Sequence, residues 1–453
     1  MTRRMLVAIF FAFTCIPMLA GGPLRVAFVG DPQVDNTIEM GYARKSIYSE
    51  LAKRKDIDLC IFLGDLVNDN MTLLPESVRV IDSLSFPCLM IPGNHDRDVY
   101  RGPKASIQVE SASGSQTDAR RHRDLATWRK IVGYVDTTFV SGKVRFVLMN
   151  NVRATDGGMT DYEGGFTEPQ KHWLDSVMHV SIDGSLDIAS CAAKKGAPAL
   201  TILATHIPFS QMKGRDSVLA LIPNMSQMLF VSGHTHYVSR DYISNSDEGM
   251  TASELIVGAA CGSWWRGVKD ADGVPYALQS CGAPRGYFIA DIKRDGNYRL
   301  TYKSIGKSES EQMSVWAISE DAETNSKPYH DSALEYRIYV NVFGGAPDGV
   351  VKISIPRKVR QRSGRRQMIC VRSFATAPEV EEVVRFNASM SREYRKAHRD
   401  EFIPLRRKPS QHLWKIAEPF EGYFPTYVNV HYQDSHMIIH SVRVPVQTFP
   451  EAI

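Results

Sequence analysis

Between Leu24 and about Ile305, short apolar runs alternate with polar, helix-like segments, and this alternation constrains the fold more than any other feature of the chain. Leu24–Val29, Leu59–Leu63 and Pro87–Ile91 read as buried strands, as do Val144–Met149, Leu200–Ala204, Met228–Val231 and Leu255–Val257. A helix-like stretch from Thr37 to Lys53 carries Ile38, Ile47 and Leu51 as its apolar positions, and Thr167-x-x-Gln170 has the pattern of a capping box opening a helix through Trp173, Leu174 and Val177. Apolar strands separated by such helices belong to layered α/β architectures.

The polar residues just after these strands carry the chemistry. The first strand is followed by Gly30-Asp31-Pro32-Gln33, the second by Gly64-Asp65-Leu66-Val67-Asn68-Asp69, and the third by Pro92-Gly93-Asn94-His95-Asp96. Later strands end in Thr205-His206-Ile207-Pro208 and Ser232-Gly233-His234-Thr235-His236. In α/β sheets the carboxyl ends of strands form the ligand-binding edge, so Asp31, Gln33, Asp65, Asn94, His206, His234 and His236 are candidate metal ligands. A lone Asp there is usually a turn residue and a lone His usually structural. His234-x-His236 goes further, because alternate residues of an extended segment point the same way. Carboxylate, amide and imidazole donors together suit Zn, Mn or Fe. Seven donors exceed one tetrahedral ion, so two are implied, with Asp65 the natural shared carboxylate. His95 can hold or donate a proton near neutral pH, and Asp96 is placed to orient it.

The ordered set Asp-x-Gln, Gly-Asp, Gly-Asn-His-Asp, His and Gly-His-x-His resembles the calcineurin-like metallophosphoesterase superfamily, over about Leu24 to Ile305. The resemblance implies a four-layer α/β/β/α sandwich with a dimetal site at its edge. One ion would take Asp31, Gln33, Asp65 and His236, and the other Asp65, Asn94, His206 and His234. His95 would assist the leaving group with Asp96 behind it, and a metal-bridging hydroxide would attack a phosphomonoester or phosphodiester. Gln33 departs from the commoner His and offers a neutral oxygen instead of a nitrogen. Tyr162–Phe166, Gly262–Gly267 and Pro284–Phe288 resemble segments of exported bacterial members with an extra C-terminal domain. A second reading, of another class, is a cell-surface or periplasmic binding protein on a partly degenerate phosphoesterase scaffold.

At 453 residues the chain exceeds one core, so two domains are expected. The polar, aperiodic run Gly306–Gln312 reads as a linker, and the alternating segments Tyr336–Val342, Val350–Ile355 and Tyr427–His431 beyond it read as antiparallel strands. The expected organisation is a signal peptide at 1–22, a catalytic domain at 23–306, a linker at 307–313 and a small, mostly-β C-terminal domain at 314–453. Arg3 and Arg4 precede the apolar run Met5–Phe13, and Leu19-Ala20-Gly21-Gly22 supplies small residues for cleavage. That run is shorter than the roughly 20 residues a bilayer span needs. The expectation is an exported protein, periplasmic or extracellular, with no transmembrane segment after signal removal. Phe13 and Thr14 make a poor context for lipid attachment at Cys15. A net charge of +4 is too small to imply a nucleic-acid partner.

Six cysteines follow the signal, and of these Cys261 and Cys281 are the better candidate disulfide pair, whereas Cys60 and Cys88 sit in strand-like runs. Trp264 and Trp265 follow a strand and would wall a substrate pocket, with at most one free to meet a ligand. Asp118–Arg123 reads as a solvated helix start. Arg357–Arg366, with six basic residues, and Arg406-Arg407-Lys408 read as exposed hairpin tips, with weak contact to an anionic envelope surface as the alternative. His436 and His440 are spaced to share a strand face, without a metal role.

Overall fold

The computed structural model describes residues 22–98, 124–155, 161–180, 197–244, 251–319, 335–355, 367–421 and 425–449. Its first strands are β1 (Leu24–Val29), β2 (Leu59–Phe62), β3 (Cys88–Met90), β4 (Thr137–Ser141) and β5 (Val144–Leu148). A short hairpin, β6 (Val152–Ala154) with β7 (Tyr162–Gly164), precedes β8 (Leu200–Ala204), β9 (Met228–Ser232), β10 (Val238–Ser244) and β11 (Thr251–Val257). Then come β12 (Gly286–Ile292) and β13 (Tyr298–Ser304). They form a five-stranded sheet in the order β13-β12-β1-β2-β3 and a six-stranded sheet in the order β10-β11-β9-β8-β5-β4. The central pairings β1–β2–β3 and β11–β9–β8–β5 are parallel.

Strand chemistry explains the layering. Successive side chains point to opposite faces, and in β1 Val26 and Phe28 enter the core between the sheets while Ala27 and Val29 enter a second core outside. In the other sheet Phe146, Ile202 and Ala204 face inward, and Val147 and Leu203 outward. Each central strand is buried on both faces, which is why it reads as a continuous apolar run. Helices Thr37–Ala43, Ser49–Lys53, Leu74–Asp82 and Ala126–Ile131 cover the first sheet. Glu168–His179 and Arg215–Leu219 cover the second. The expected capping box is present, with Gln170 N donating to Thr167 Oγ1 and Thr167 N to Gln170 Oε1. This is the expected α/β/β/α sandwich.

Eight further strands are β14 (Met313–Ser319), β15 (Glu335–Val342), β16 (Val350–Ser354), β17 (Gln367–Arg372), β18 (Leu413–Ile416), β19 (Phe420–Glu421), β20 (Tyr427–Gln433) and β21 (Ile438–Gln447). Because β14 pairs with both β21 and β15, seven of them close in the order β14-β21-β20-β16-β17-β18-β15, and β19 extends β15. Closure removes sheet edges. The expected mostly-β C-terminal domain is therefore a barrel, and its interior residues Val315, Ala317, Ile338 and Val340 belong to the same apolar cluster as the inter-sheet core. A buried ion pair reinforces the junction: Arg240 on β10 donates to Asp434 at 2.5 and 3.1 Å, and to the Gly344 carbonyl at 3.1 Å.

Several expectations need correction. Ile38 is 65% exposed, because Asn36 caps the helix by accepting from Ile38 N and Glu39 N and turns that first residue outward. The run Thr37–Lys53 is broken by a wide turn at Arg44–Tyr48. Cys261 and Cys281 are buried free thiols, as are Cys60 and Cys370. His436 and His440 share no face: His436 lies in the turn before β21 and stacks on Tyr298 at 4.1 Å, whereas His440 is exposed. Arg407 is exposed but not a bare hairpin tip, because its Nε and Nη2 donate to the Glu381 carboxylate at 2.7 and 2.8 Å. The C-terminal domain also contains the helix Pro378–Ser389, for which Pro378 at the first helical position and Val380, Val383 and Val384 on one side were the available signals. Residues 1–21 of the expected signal peptide (1–22), with Cys15, and also Arg101–Arg123, Cys191 and Arg357–Arg366 lie outside the described residues. Among the described residues no helix is long and apolar enough to cross a membrane.

Two outcomes are expected. Arg240→Ala leaves Asp434 buried without its cation and should cost about 3 kcal/mol, seen as a lower unfolding midpoint in denaturant. Glu379, at the start of the C-terminal helix, is buried beside Ser314 Oγ and Asn341 Nδ2, and burial pushes its pKa up to about 7 from 4.5. The folded state then holds a proton that the unfolded chain has released. Stability contributed by this group is complete below about pH 4.5 and declines as pH rises through about 7. Glu379→Gln should flatten that decline in melts taken from pH 5 to 8, and an unchanged pH slope would count against it.

Candidate metal centre

Asp31, Asp65 and Asn94 follow β1, β2 and β3, and His206 and His234 follow β8 and β9, so one edge of the two sheets gathers all five. The local backbone is unusual. Asp31, Gln33, Asp65, His234 and His236 have φ of 49°, 42°, 50°, 72° and 50°. Left-handed conformations are uncommon for residues other than glycine and cluster where surrounding structure over-determines them. Five of the seven expected ligands are thus held in left-handed backbone conformations.

The tightest part of the cluster is Asp65, His206 and His234, whose ligand atoms lie within 4.8 Å of one another. His206 Nδ1 faces the Leu63 carbonyl at 2.8 Å, which makes it the protonated nitrogen and leaves the Nε2 lone pair toward the cluster. That Nε2 lies 2.9 Å from Asn94 Oδ1, 3.2 Å from His234 Nδ1 and 3.4 Å from Asp65 Oδ2. His236 is oriented in the same way, with Nδ1 2.6 Å from the Gly262 carbonyl and Nε2 3.9 Å from Asp31 Oδ1. Asp31 accepts from His234 N at 3.0 and 3.1 Å. Gln33 is 2% exposed, and its Oε1 lies 3.7 Å from Cys261 Sγ.

Electrostatics follow from burial. Burial drives the Asp31 pKa up, with the Asp65 charge adding to it, whereas for Asp65 burial is opposed by His206 and His95, which together hold its carboxyl low. Burial alone would lower His206, but the Asp65 and Asp31 carboxylates raise it to about 9. Burial and the nearby His206 depress His234 to about 3, and burial depresses His236 to about 4. His234 and His236 therefore keep free lone pairs at neutral pH.

The partner expected for His95 is not the one found. His95 Nδ1 lies 2.8 Å from Asp69 Oδ1, which together with Asp65 raises its pKa despite the opposing effect of burial. Asp96 turns the other way and accepts from Leu66 N, Val67 N and Gly93 N at 3.1, 3.0 and 3.0 Å. Asp96 therefore fixes the two turns on which Asp65 and Asn94 stand, and does not touch His95. The segment Gly64–Asp69 was legible as a polar strand end, but nothing in the linear order says that its last residue returns to His95. Trp264 and Trp265 lie in a turn after β11 with φ of 54° and 53°, so alternation along a strand does not apply. Trp264 is 42% exposed and its ring sits 4.7 Å from that of His236. Trp265 is 3% exposed with Nε1 donating to the Pro32 carbonyl at 2.9 Å, and cannot wall a pocket. Tyr162 was missed as a neighbour; it meets His234 edge-on at 5.8 Å.

A family model for calcineurin-like phosphoesterase matches residues 24–238, and a second model, for the C terminal of calcineurin-like phosphoesterase, matches residues 254–430. The chain belongs to the calcineurin-like phosphoesterase family. No curated protein matches it. Among solved structures, this phosphoesterase is similar to PhoD, with 11% identity, 71% of this chain and 70% of that one covered, and a TM-score of 0.41. It is similar to the purple acid phosphatase PPD1 from yellow lupin (Lupinus luteus) seeds, with 13% identity, 62% of this chain covered and a TM-score of 0.38; the chain spans about half (51%) of that protein's length. A metallophosphoesterase from Sphaerobacter thermophilus matches at 15% identity over 62% of this chain and 87% of that one, with a TM-score of 0.26. At these scores the structural likenesses add nothing to the family assignment.

The donor set of the phosphoesterase fits metal ions. Two imidazole nitrogens, His206 Nε2 and His234 Nδ1, lie 3.2 Å apart, a separation that needs a proton or a cation between them. Gly93 is part of that fit, because a Cβ added there would overlap Asp65 Oδ1, with Asp65 N close behind. Gly93→Ala is expected to push Asp65 aside and weaken Mn(II) binding about 10–100-fold, as displaced ligand supports do, while calorimetry and circular dichroism report affinity and folding separately.

Proposed function

We propose that this phosphoesterase is an exported hydrolase of phosphomonoesters or phosphodiesters that works with two bound ions of Mn, Fe or Zn. The observation that carries the reading is the convergence of Asp65, His206 and His234, ligand atoms within 4.8 Å, with Asp31, Asn94, His236 and Gln33 around them at the same sheet edge. Asp31, Gln33, Asp65 and His236 would hold one ion, and Asp65, Asn94, His206 and His234 the other. Bound ions supply Lewis acidity to phosphoryl oxygens and lower the pKa of water. The protein's own residues do the rest. The carbonyls of Leu63 and Gly262 fix the tautomers of His206 and His236. Asp96 rigidifies the turns that carry Asp65 and Asn94. His95 has Nδ1 committed to Asp69, so Nε2 is the nitrogen able to give a proton to a departing alkoxide. Asp69 keeps His95 protonated to higher pH than its ordinary 6.5. Export rests on the N-terminal sequence alone.

The test is metal analysis of the purified chain together with turnover of an aryl phosphate and a bis-aryl phosphate. Near two ions per chain are expected. Asp65→Ala and His95→Ala should each lower kcat by at least about 100-fold, and Asp69→Asn by less. Unchanged turnover in Asp65→Ala or His95→Ala would sink the mechanism.

A further inference from the structure

We propose that the alcohol part of the substrate carries a flat heteroaromatic ring, as a nucleoside does, and that this ring stacks on Trp264 beside the metal site. The proposal rests on the phosphoesterase reading above and adds a substrate class to it. Three observations carry it.

The first is the display of Trp264 itself. A large apolar ring left 42% exposed next to a nearly buried histidine, at 4.7 Å and 30°, presents a flat face at the edge of the donor cluster. The second is the backbone beneath it. Two consecutive tryptophans at positive φ are outliers for bulky side chains, and such conformations persist only where the surroundings enforce them. Here they do. Trp265 is locked under the loop by its hydrogen bond to Pro32 and by the Arg285 guanidinium 5.3 Å from its ring. Ser263 Oγ donates to the Leu278 carbonyl at 2.5 Å, and Gly267 N to the Asp400 carbonyl of the C-terminal domain at 2.7 Å. The loop is thus anchored from behind at several points, and of its two tryptophans only Trp264 faces solvent. The third observation lies beside the other histidine of the Gly-His-x-His motif. Tyr162, 36% exposed, sets its ring edge-on to His234 at 5.8 Å. Each of the two imidazoles is therefore flanked by an exposed aromatic ring.

Stacking of flat rings on such platforms works at centroid separations of about 4.5–7 Å and tolerates any base, because every base has a π-face. A substrate held by its phosphoryl group at the donor cluster would lay its alcohol part across this rim. An indole face also accepts the apolar face of a sugar, so the test separates ring from sugar.

Adenosine 5′-phosphate and ribose 5-phosphate share a primary alkoxide leaving group and differ at C1′, where one carries adenine and the other a hydroxyl. The Mn(II)-loaded enzyme is expected to show a kcat/KM about tenfold or more higher for the nucleotide. Trp264→Ala should bring that ratio to within about twofold of one, and Trp264→Phe should retain most of it. Phe386→Ala, which removes an exposed aromatic from the C-terminal helix, should keep it. A ratio near one in the wild type, or a ratio that survives Trp264→Ala, overturns the proposal. Binding is read apart from turnover by tryptophan fluorescence: adenosine 5′-phosphate should quench a component absent from Trp264→Phe, and ribose 5-phosphate should not. Quenching by both, or by neither, overturns the stacking site even where phosphoesters are cleaved. Base-dependent quenching without any turnover of aryl phosphate overturns the phosphoesterase reading and leaves the stacking site standing.

Discussion

Two carboxylates, Asp31 and Asp65, lie fully buried at the ends of adjacent parallel strands, and the architecture around them exists to make that tolerable. Buried charges persist only when paired and hydrogen-bonded. Asp31 takes the amide of His234 from the other sheet, and Asp65 takes the amide of His95 and the charge of His206. The two sheets are thereby tied together at their shared edge by the same groups that would bind ions. Folding and chemistry draw on one set of contacts there, which is why the edge carries so many left-handed residues.

Much of this edge was legible in the order of the residues. Apolar strands followed at once by Asp, Asn or His announce a strand-end site, and Asp31, Asp65, Asn94, His206 and His234 follow strands at one edge of the sandwich, with His236 near Asp31 and Gln33 near Cys261. What the order did not convey was which carboxylate serves which partner. Asp96 is next to His95 in sequence, yet neighbours in a tight turn point apart, and its carboxylate is consumed by three backbone amides. Asp69, far from His95 in sequence, curls back on its own left-handed turn to meet the ring.

The C-terminal domain was legible only as alternating strands. Closure of seven strands into a barrel depends on the parallel pairing of β14 with β21, which joins the two ends of the domain. Local patterning does not encode such a contact. The same holds for the fusion of the barrel interior with the inter-sheet core, and for the Arg240–Asp434 pair that spans the junction. Two sequence segments that looked like separate units share one apolar cluster, and the catalytic-side loop carrying Trp264 leans on residues near Asp400 and Ile403.

By itself the sequence determined the layered α/β class, the strand-end donor set and the family, because periodicity and motif order are local properties of a chain. Only the tertiary structure decided that Asp69 orients His95, that Asp96 braces the ligand turns, that Trp265 is buried so that Trp264 is displayed, and that Cys261 and Cys281 remain thiols. Each of those outcomes depends on which side chains from distant strands arrive at the same point, and on the left-handed turns that aim them. Contacts made across the fold, such as that of Trp265 with Pro32 across 233 positions, have no signature in residue spacing.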